Sequence, residues 1–110
     1  MTPENCIALV DTLVPNAVPE ILKQRWLAEL EGYLLVDVCH HDPRVMDLGD
    51  GTETPTTLSV PFPYDRVYWT YLVAMIIFYQ GDVTRYSEAS DLFEKSFENY
   101  AQWYQRERRS

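Results

Sequence analysis

The sequence predicts an all-α protein, a four-helix bundle-like domain with a long loop between its second and third helices. Three observations predict this class. Over most of the chain, apolar residues recur every three or four positions, which is the spacing of one helix face. Seven prolines and only four glycines suggest long regular elements separated by sharp joints. A length of 110 residues suits one domain, which we expect to span 1–110.

The first helix is predicted over 3–13. Thr2 and Pro3 form a start signal, a capping hydroxyl followed by proline at the first helical position. Cys6, Leu9, Val10 and Leu13 are expected to lie on one face of this helix. Two prolines in the stretch VPNAVPE (14–20) then end the helix and separate it from the next one.

The second helix is predicted over 20–41. An apolar residue occurs at every fourth position from Leu22 to Val38, and two further apolar residues lie on the same face. The stripe comprises Leu22, Trp26, Leu27, Leu30, Tyr33, Leu34 and Val38. Gly32 interrupts this helix at a cost of about 1 kcal/mol relative to alanine, often a sign of close helix contact.

Residues 42–62 are predicted to form an extended loop or arm, because prolines, glycines and threonines crowd this stretch. Asp50 and Gly51 are a hairpin signal, and TLSV (57–60) alternates like a strand. A small β-hairpin that pairs 44–48 with 56–60 is therefore an alternative to an irregular loop. An arm that reaches a neighbouring molecule and a mobile surface loop stay equally open interpretations.

The third helix is predicted over 63–80, with Pro63 in its first turn and Gly81 closing it. Its apolar part runs from Val67 to Tyr79 and would be about 20 Å long, which is short of the roughly 30 Å hydrocarbon layer of a membrane. Because apolar side chains occupy every face, this helix needs burial all round. We therefore expect another copy or another protein to cover part of this helix or of the surface beside it.

The fourth helix is predicted over 82–106, with a length of about 37 Å. Aromatic and small residues step by three and four positions along it, as in the seam of a coiled coil. This seam comprises Tyr86, Ala89, Phe93, Phe97, Tyr100 and Tyr104, with Leu92 and Trp103 beside it. The end of the helix should project past the bundle, and its arginines complement the helix dipole.

The charge of the chain excludes several classes of partner. Seventeen acids against nine bases give a formal charge of −8, which repels nucleic-acid phosphates and anionic lipid at long range. We expect neither sequence-specific nucleic-acid binding nor membrane association. The acid surplus is concentrated in residues 1–60, which hold ten acids and three bases. Cys6 and Cys39 suggest no disulfide framework, and the sequence opens without a signal peptide, so a reducing cytoplasm is expected.

A search for metal-binding patterns gives no site that we expect to be occupied. Cys39-His40-His41-Asp42 (39–42) holds ligand residue types, but consecutive positions on a helix point in different directions and cannot close on one ion. Asp47, Asp50 and Glu53 lack the ligand spacing of a calcium loop, and turn formation explains them better. We predict no metal and no cofactor.

Catalytic patterns are equally sparse. Glu88 and Asp91 share a helical face, which invites comparison with magnesium-dependent nucleotide pyrophosphohydrolases. Those enzymes carry a further pair of glutamates three residues apart, whereas Glu29 and Glu31 face apart on helix 2. Since no glycine-rich phosphate loop, serine elbow or cysteine–histidine signature occurs either, we predict no catalytic residues and no enzyme activity.

Three stretches of the sequence resemble a known family. They are PNAVPEILKQRWLAELEG (15–32), VPFPYDRVYWTYLVAMIIFYQGDVTRY (60–86) and an F-x3-F-x2-Y-x3-Y tail, and the likeness is carried by Asn16, Trp26, Leu27, Gly32, Pro63, Tyr64, Asp65, Gly81 and Tyr86. The chain resembles the short helical head–tail connector or adaptor proteins of temperate tailed phages and prophages. The likeness spans most of the chain except 42–57, which varies in length in that family. Where similar sequences usually carry a polar residue, this chain has Ile77.

The resemblance implies a virion structural protein without enzyme activity. It would bind the portal protein after DNA packaging, form a homo-oligomeric ring and continue the DNA channel toward the tail and stopper proteins. It would lie in the cytoplasm of the bacterial host during assembly and then in the virion neck. Acids that line the channel would let DNA slide by repelling its phosphates. The predicted interface comprises Tyr68, Tyr71, Met75, Phe78, Tyr79, Trp103, Tyr104, Arg106, Arg108 and Arg109.

Two other functions stay open. A small acidic helical nucleotide hydrolase would use Glu88, Asp91 and neighbouring acids to hold magnesium, and magnesium would then raise its stability. A phage-encoded module that binds one host protein would use an aromatic surface, would be a stable monomer or dimer, and would have no affinity for a portal protein.

Overall fold

The structure is a computed structural model that describes residues 1–38 and 58–109. These residues form four α-helices and no β-strand, namely α1 (Pro3–Leu13), α2 (Glu20–Asp37), α3 (Arg66–Tyr79) and α4 (Val83–Arg109). The all-α prediction is confirmed for the described ranges. The hairpin predicted for 44–48 and 56–60 lies outside them, except for 58–60, and those three residues are not in a strand.

Helix α1 begins and ends where the sequence predicts. The Thr2 hydroxyl accepts a hydrogen bond from the backbone N–H of Asn5 at 3.2 Å, and proline follows the cap. The buried face consists of Pro3, Cys6, Ile7 and Val10. Of the residues predicted to share one face, Cys6 and Val10 are buried, whereas Leu9 and Leu13 are exposed. The row through 3, 7, 10 and 14 faces the core, and this row turns both leucines toward solvent.

Helix α2 begins at Glu20 as predicted and ends at Asp37. The predicted continuation over 39–41 lies outside the described residues. Most of the predicted stripe is buried, namely Trp26, Leu27, Leu30, Leu34 and Val38. Leu22 is half-buried, and Tyr33 is 66% exposed. It lies on the solvent side of a helix that is packed on one face only.

A buried lysine joins α2 to the end of α1. Lys23 Nζ donates to Asp11 Oδ1 at 2.7 Å and to Asn16 Oδ1 at 3.2 Å. The Asn16 side chain also donates to the Val14 carbonyl and accepts from the Val18 N–H, which fixes the linker between the helices. Burial opposes the ionised form of Asp11, but hydrogen bonds from Lys23 and Asn16 outweigh it and lower the pKa of this carboxyl.

Helix α3 begins three residues later than the sequence predicts. The Phe62–Pro63 peptide bond is cis, and the N–H of Tyr64 donates to the carbonyl of Pro61 at 2.9 Å. Pro63 therefore occupies the third position of a four-residue turn, which is the place of a cis-proline in a type VI turn. The helix starts after this turn, at Arg66.

The segment 58–60 has a fixed place beside the helices, although it is irregular. The N–H of Leu58 donates to the carbonyl of Met1 at 3.1 Å, and Leu58 and Val60 are buried. Ser59 donates to the Glu31 carboxylate from its backbone N–H at 2.8 Å and from its hydroxyl. This segment therefore ties the start of α1 to the middle of α2.

Helix α3 lies at the centre of the fold and packs against α1, α2 and α4. Its buried residues are Val67, Tyr68, Thr70, Leu72, Ala74, Ile76 and Ile77. Among the apolar residues of α3, only the last two, Phe78 and Tyr79, are largely exposed. Within the described residues, α1, α2, α4 and the segment 58–60 therefore cover most of α3 and leave its end exposed. That another molecule covers this end, or the surface beside it, stays a prediction. In the described part of the chain, no helix combines the length and hydropathy that a membrane span needs.

A three-residue connection turns the chain from α3 into α4. Gly81 has a φ of 82°, and its N–H donates to the Phe78 carbonyl at 3.0 Å. The Asp82 side chain then caps α4 by accepting from the N–H of Arg85 at 3.1 Å. With 27 residues, α4 is longer than its 14-residue neighbour α3 and extends three residues beyond its predicted end.

Candidate docking groove

An apolar groove separates α2 from α4. Both helices pack against α3, but in the described part of the chain no Cα of α2 lies within 8 Å of a Cα of α4. The space between them has a volume of about 790 Å³. It is lined by Glu29, Leu30 and Tyr33 of α2, Tyr71 of α3, and Phe93, Glu94, Phe97 and Glu98 of α4.

Aromatic rings form much of the groove surface. Tyr71 and Phe93 meet edge to face with their ring centroids 5.2 Å apart, and Phe97 lies 6.1 Å from Phe93. Such ring pairs add about 0.5–1.5 kcal/mol beyond the area they bury. Phe93 and Phe97 are one turn apart on α4, so they form a continuous ridge along one side of the groove.

Carboxylates border these rings. Glu94 and Glu98 each follow a groove phenylalanine, and Glu29 lies across the groove on α2. Glu29 pairs with Arg25 at 3.2 Å, but both side chains are at least half exposed, so this pair contributes little stability. Burial, followed by the negative charge of Glu29, raises the pKa of the Tyr71 phenol. No lysine or arginine is among the lining residues.

The predicted interface residues separate into distinct places. Phe78 and Tyr79 lie at the end of the bundle where α3 meets α4, with the Phe78 ring 5.2 Å from the Tyr86 ring. Tyr71 lines the groove, and Met75 is half-buried against the core. These predicted interface residues therefore lie at different places on the fold.

The remaining predicted interface residues lie near the other end of α4. Trp103 stacks on Tyr64 at 5.0 Å, and Tyr104 is also partly buried. Arg106 is exposed. At 1.5 Å per residue, Trp103 is about 30 Å along α4 from Val83, so it cannot share a contact with Phe78. The structure does not describe the side chains of Arg108 and Arg109.

Tyr68 is buried completely and offers no surface to a partner. Its predicted place in the interface is wrong, because its ring fills the core. Burial, followed by the negative charge of Glu31, raises the pKa of its hydroxyl. Tyr68 is a structural residue of α3.

The candidate metal positions give no assembled site in the described part of the chain. Among residues 1–38 and 58–109, no three histidine, cysteine, aspartate or glutamate side chains come close enough to hold an ion. Glu29 and Glu31 face apart as predicted, since Glu29 is exposed and Glu31 is buried. The stretch 39–42 and the acids Asp47, Asp50 and Glu53 lie outside the described residues.

The groove itself was missed by the sequence analysis, which assigned Phe93 and Phe97 to a packed seam. A local signal does exist, because a phenylalanine followed by glutamate occurs twice with a spacing of four, at 93–94 and 97–98. This repeat predicts an apolar ridge beside a row of carboxylates. It cannot predict that α2 does not pack directly against this ridge in the described structure.

Comparison with protein-family models, with curated proteins and with solved structures gives no match for this chain.

Proposed function

We propose that this chain is a structural subunit of a phage head–tail connector, which binds the portal protein and forms a ring around the DNA channel. The observation that carries this proposal is an exposed apolar end of the bundle. Five large apolar side chains there are each more than half exposed, namely Leu13, Ile21, Phe78, Tyr79 and Val83. A soluble monomer rarely exposes so many together, and such patches mark contacts with other proteins.

The apolar end brings together both short connections of the fold. Leu13 ends α1 and Ile21 is near the start of α2, whereas Tyr79 ends α3 and Val83 starts α4. The Gln80 side chain donates to the Pro15 carbonyl at 3.3 Å and joins the two connections. A surface built from folded helix ends needs less ordering on association than a loop would, which suits repeated packing against identical neighbours.

The charge of the chain supports a position around DNA. The acid surplus of residues 1–60 would repel phosphates from the wall of a channel and let DNA pass without sticking. Exposed acids in this region include Glu4, Asp11 and Glu20. A ring in which these acids lie on the outer surface would remove this part of the proposal.

Association and portal binding test the proposal together. We expect sedimentation velocity to show concentration-dependent association, and electron microscopy to show rings when a phage portal protein from the same source is added. Val83→Ser combined with Phe78→Ser should weaken both, because the exposed end loses two of its five apolar side chains. The matched control is Phe62→Ser, since Phe62 is also a highly exposed phenylalanine but precedes α3 at another place in the chain.

Other results would favour the alternatives. A stable monomer or dimer without affinity for portal would contradict the connector and leave a module that binds a host protein. A rise in melting temperature on addition of magnesium, lost in Glu88→Gln with Asp91→Asn, would favour the nucleotide hydrolase.

A further inference from the structure

The groove between α2 and α4 has the form of an unfilled helix position. Helices that pack directly have axes about 8–10 Å apart, whereas α2 and α4 are held apart by their common contact with α3 in the described part of the fold. The side chains of both helices line the space of about 790 Å³ that remains. One more helix would complete this layer of the bundle.

The apolar residues of the groove suit the side chains of a helix. Phe93 and Phe97 form a ridge on α4, and Leu30 and Tyr33 stand one turn apart on α2. An amphipathic helix presents its apolar residues three and four positions apart, so they would enter the space between these two ridges. Tyr33 is 66% exposed and would be covered.

The charge at the rim defines the chemistry of the partner. Glu94 and Glu98 are one turn apart and form no ion pair within the described residues. Like charges at this spacing repel each other and destabilise a helix. Glu29 adds a third carboxylate on the opposite side, where it also forms an exposed pair with Arg25. Lysine or arginine beside the apolar face of an incoming helix would relieve this repulsion.

Segments of the chain itself do not match these requirements. If the grooves of two copies packed against each other, the carboxylates of one copy would face those of the other. The C-terminal stretch QRERRS (105–110) is basic but has no apolar side chain to fill the groove. The segment 39–57 contains four acids and one arginine, so the rim would repel it.

We infer that this groove binds a basic amphipathic helix of another protein, with leucine or aromatic residues on one face and lysine or arginine beside them. The inference rests on the groove and its charges alone, and it holds whether or not the chain is a connector subunit. The apolar end proposed for self-assembly uses other residues, so the two proposals can fail separately.

A direct test uses a fluorescent helical peptide composed of leucine and lysine in an amphipathic pattern. We expect it to bind the full-length protein, with an affinity that falls as salt is raised. A peptide of the same pattern with glutamate in place of lysine should not bind. In heteronuclear NMR spectra, the lysine peptide should shift the amide signals of Leu30, Tyr33 and Phe97.

Variants locate the binding site. Glu94→Lys combined with Glu98→Lys should weaken the binding of the lysine peptide at least about ten-fold, because two attractive rim charges become repulsive. Tyr33→Ser should also weaken it, because apolar contact area is lost. The control is Glu88→Lys combined with Glu20→Lys, which changes the net charge equally at exposed positions on other helix faces. Circular dichroism and thermal unfolding would show that all variants fold.

Several outcomes would overturn the inference. Absence of binding is one, and equal weakening in the groove and control variants is another, since it would leave only attraction to the net charge. A change of oligomeric state in the Glu94 and Glu98 variant would assign the groove to a second copy. Tighter peptide binding after replacement of 43–56 by a glycine–serine linker would assign it to the chain itself.

Discussion

The hydroxyl of Tyr68 donates to the buried carboxylate of Glu31 at 3.1 Å, across 37 residues of sequence. The same hydroxyl accepts a hydrogen bond from the N–H of Val60 at 2.9 Å. Glu31 also accepts from Ser59, so one carboxylate of α2 and one phenol of α3 together hold the segment 58–60. Among the described residues the donors to this carboxylate are the neutral groups of Ser59 and Tyr68, so each hydrogen bond is important for keeping the carboxylate in the interior.

Removal of the Tyr68 hydroxyl should therefore destabilise the fold. We expect Tyr68→Phe to lower the free energy of unfolding by about 2 kcal/mol, because a buried N–H and a buried carboxylate both lose a partner. Urea denaturation with unchanged slope would measure this loss. Tyr79→Phe is the control, since more than half of Tyr79 is exposed, and it should change stability by less than about 0.5 kcal/mol. Equal stability of the two variants would contradict the prediction.

The contact of Lys23 with Asp11 should make stability depend on pH. Because the pKa of Asp11 is lowered in the folded state, its contribution is complete above the ordinary aspartate pKa and is lost as pH falls through the folded value. At neutral pH we expect Asp11→Asn to cost about 1–2 kcal/mol, since Lys23 is 5% exposed but the Asp11 side chain is 44% exposed.

Denaturation of wild type and Asp11→Asn across acidic pH checks this dependence. The difference between the two proteins should shrink toward zero as Asp11 becomes protonated. Glu29→Gln, which breaks the exposed pair with Arg25, should cost less than about 0.5 kcal/mol at any pH. A difference for Asp11→Asn that persists unchanged in acid would exclude the proposed role of its charge.

The sequence correctly predicted the helix ends that are set by a few neighbouring residues. The cap at Thr2 and the left-handed residue Gly81 were both found from the sequence, because each is decided by a few neighbouring residues. The start of α3 was misplaced because Pro63 belongs to a turn closed by Pro61 and Tyr64. The presence of proline does not by itself distinguish a β-turn from the first turn of an α-helix.

Tertiary arrangement decided what the sequence could not. The apolar pattern of α3 correctly predicts burial but does not identify what covers it, and the covering elements proved to belong to this chain over most of the helix. Likewise, Phe93 and Phe97 have the pattern of a packed seam, yet they line a groove because α2 and α4 remain apart in the described structure. Patterns within one helix carry no information about a missing neighbour.

Burial of Cys6 should make its thiol unreactive in the folded protein. Burial, followed by the negative charge of Asp65, raises the pKa of Cys6 to about 12. Since the thiolate is the nucleophile, Ellman's reagent at about pH 8 should modify it only after the chain opens. The Cys39→Ser variant isolates this thiol. Fast modification in the folded variant, at the rate of the denatured one, would contradict the burial of Cys6.

Substitution of Gly81 tests the backbone conformation between α3 and α4. A Cβ at this position would meet no atom within 4 Å, so any loss of stability must come from the φ of 82° rather than from a clash. We expect Gly81→Ala to lower the free energy of unfolding by about 1 kcal/mol, and Gly81→Asn by about half as much, because asparagine tolerates the left-handed region better. Thermal and urea unfolding of the three proteins would measure this order, with Ser87→Ala in α4 as an exposed control with little effect. If alanine proves as stable as glycine, the connection adopts another conformation, and the cap of α4 by Asp82 would have to be reconsidered with it.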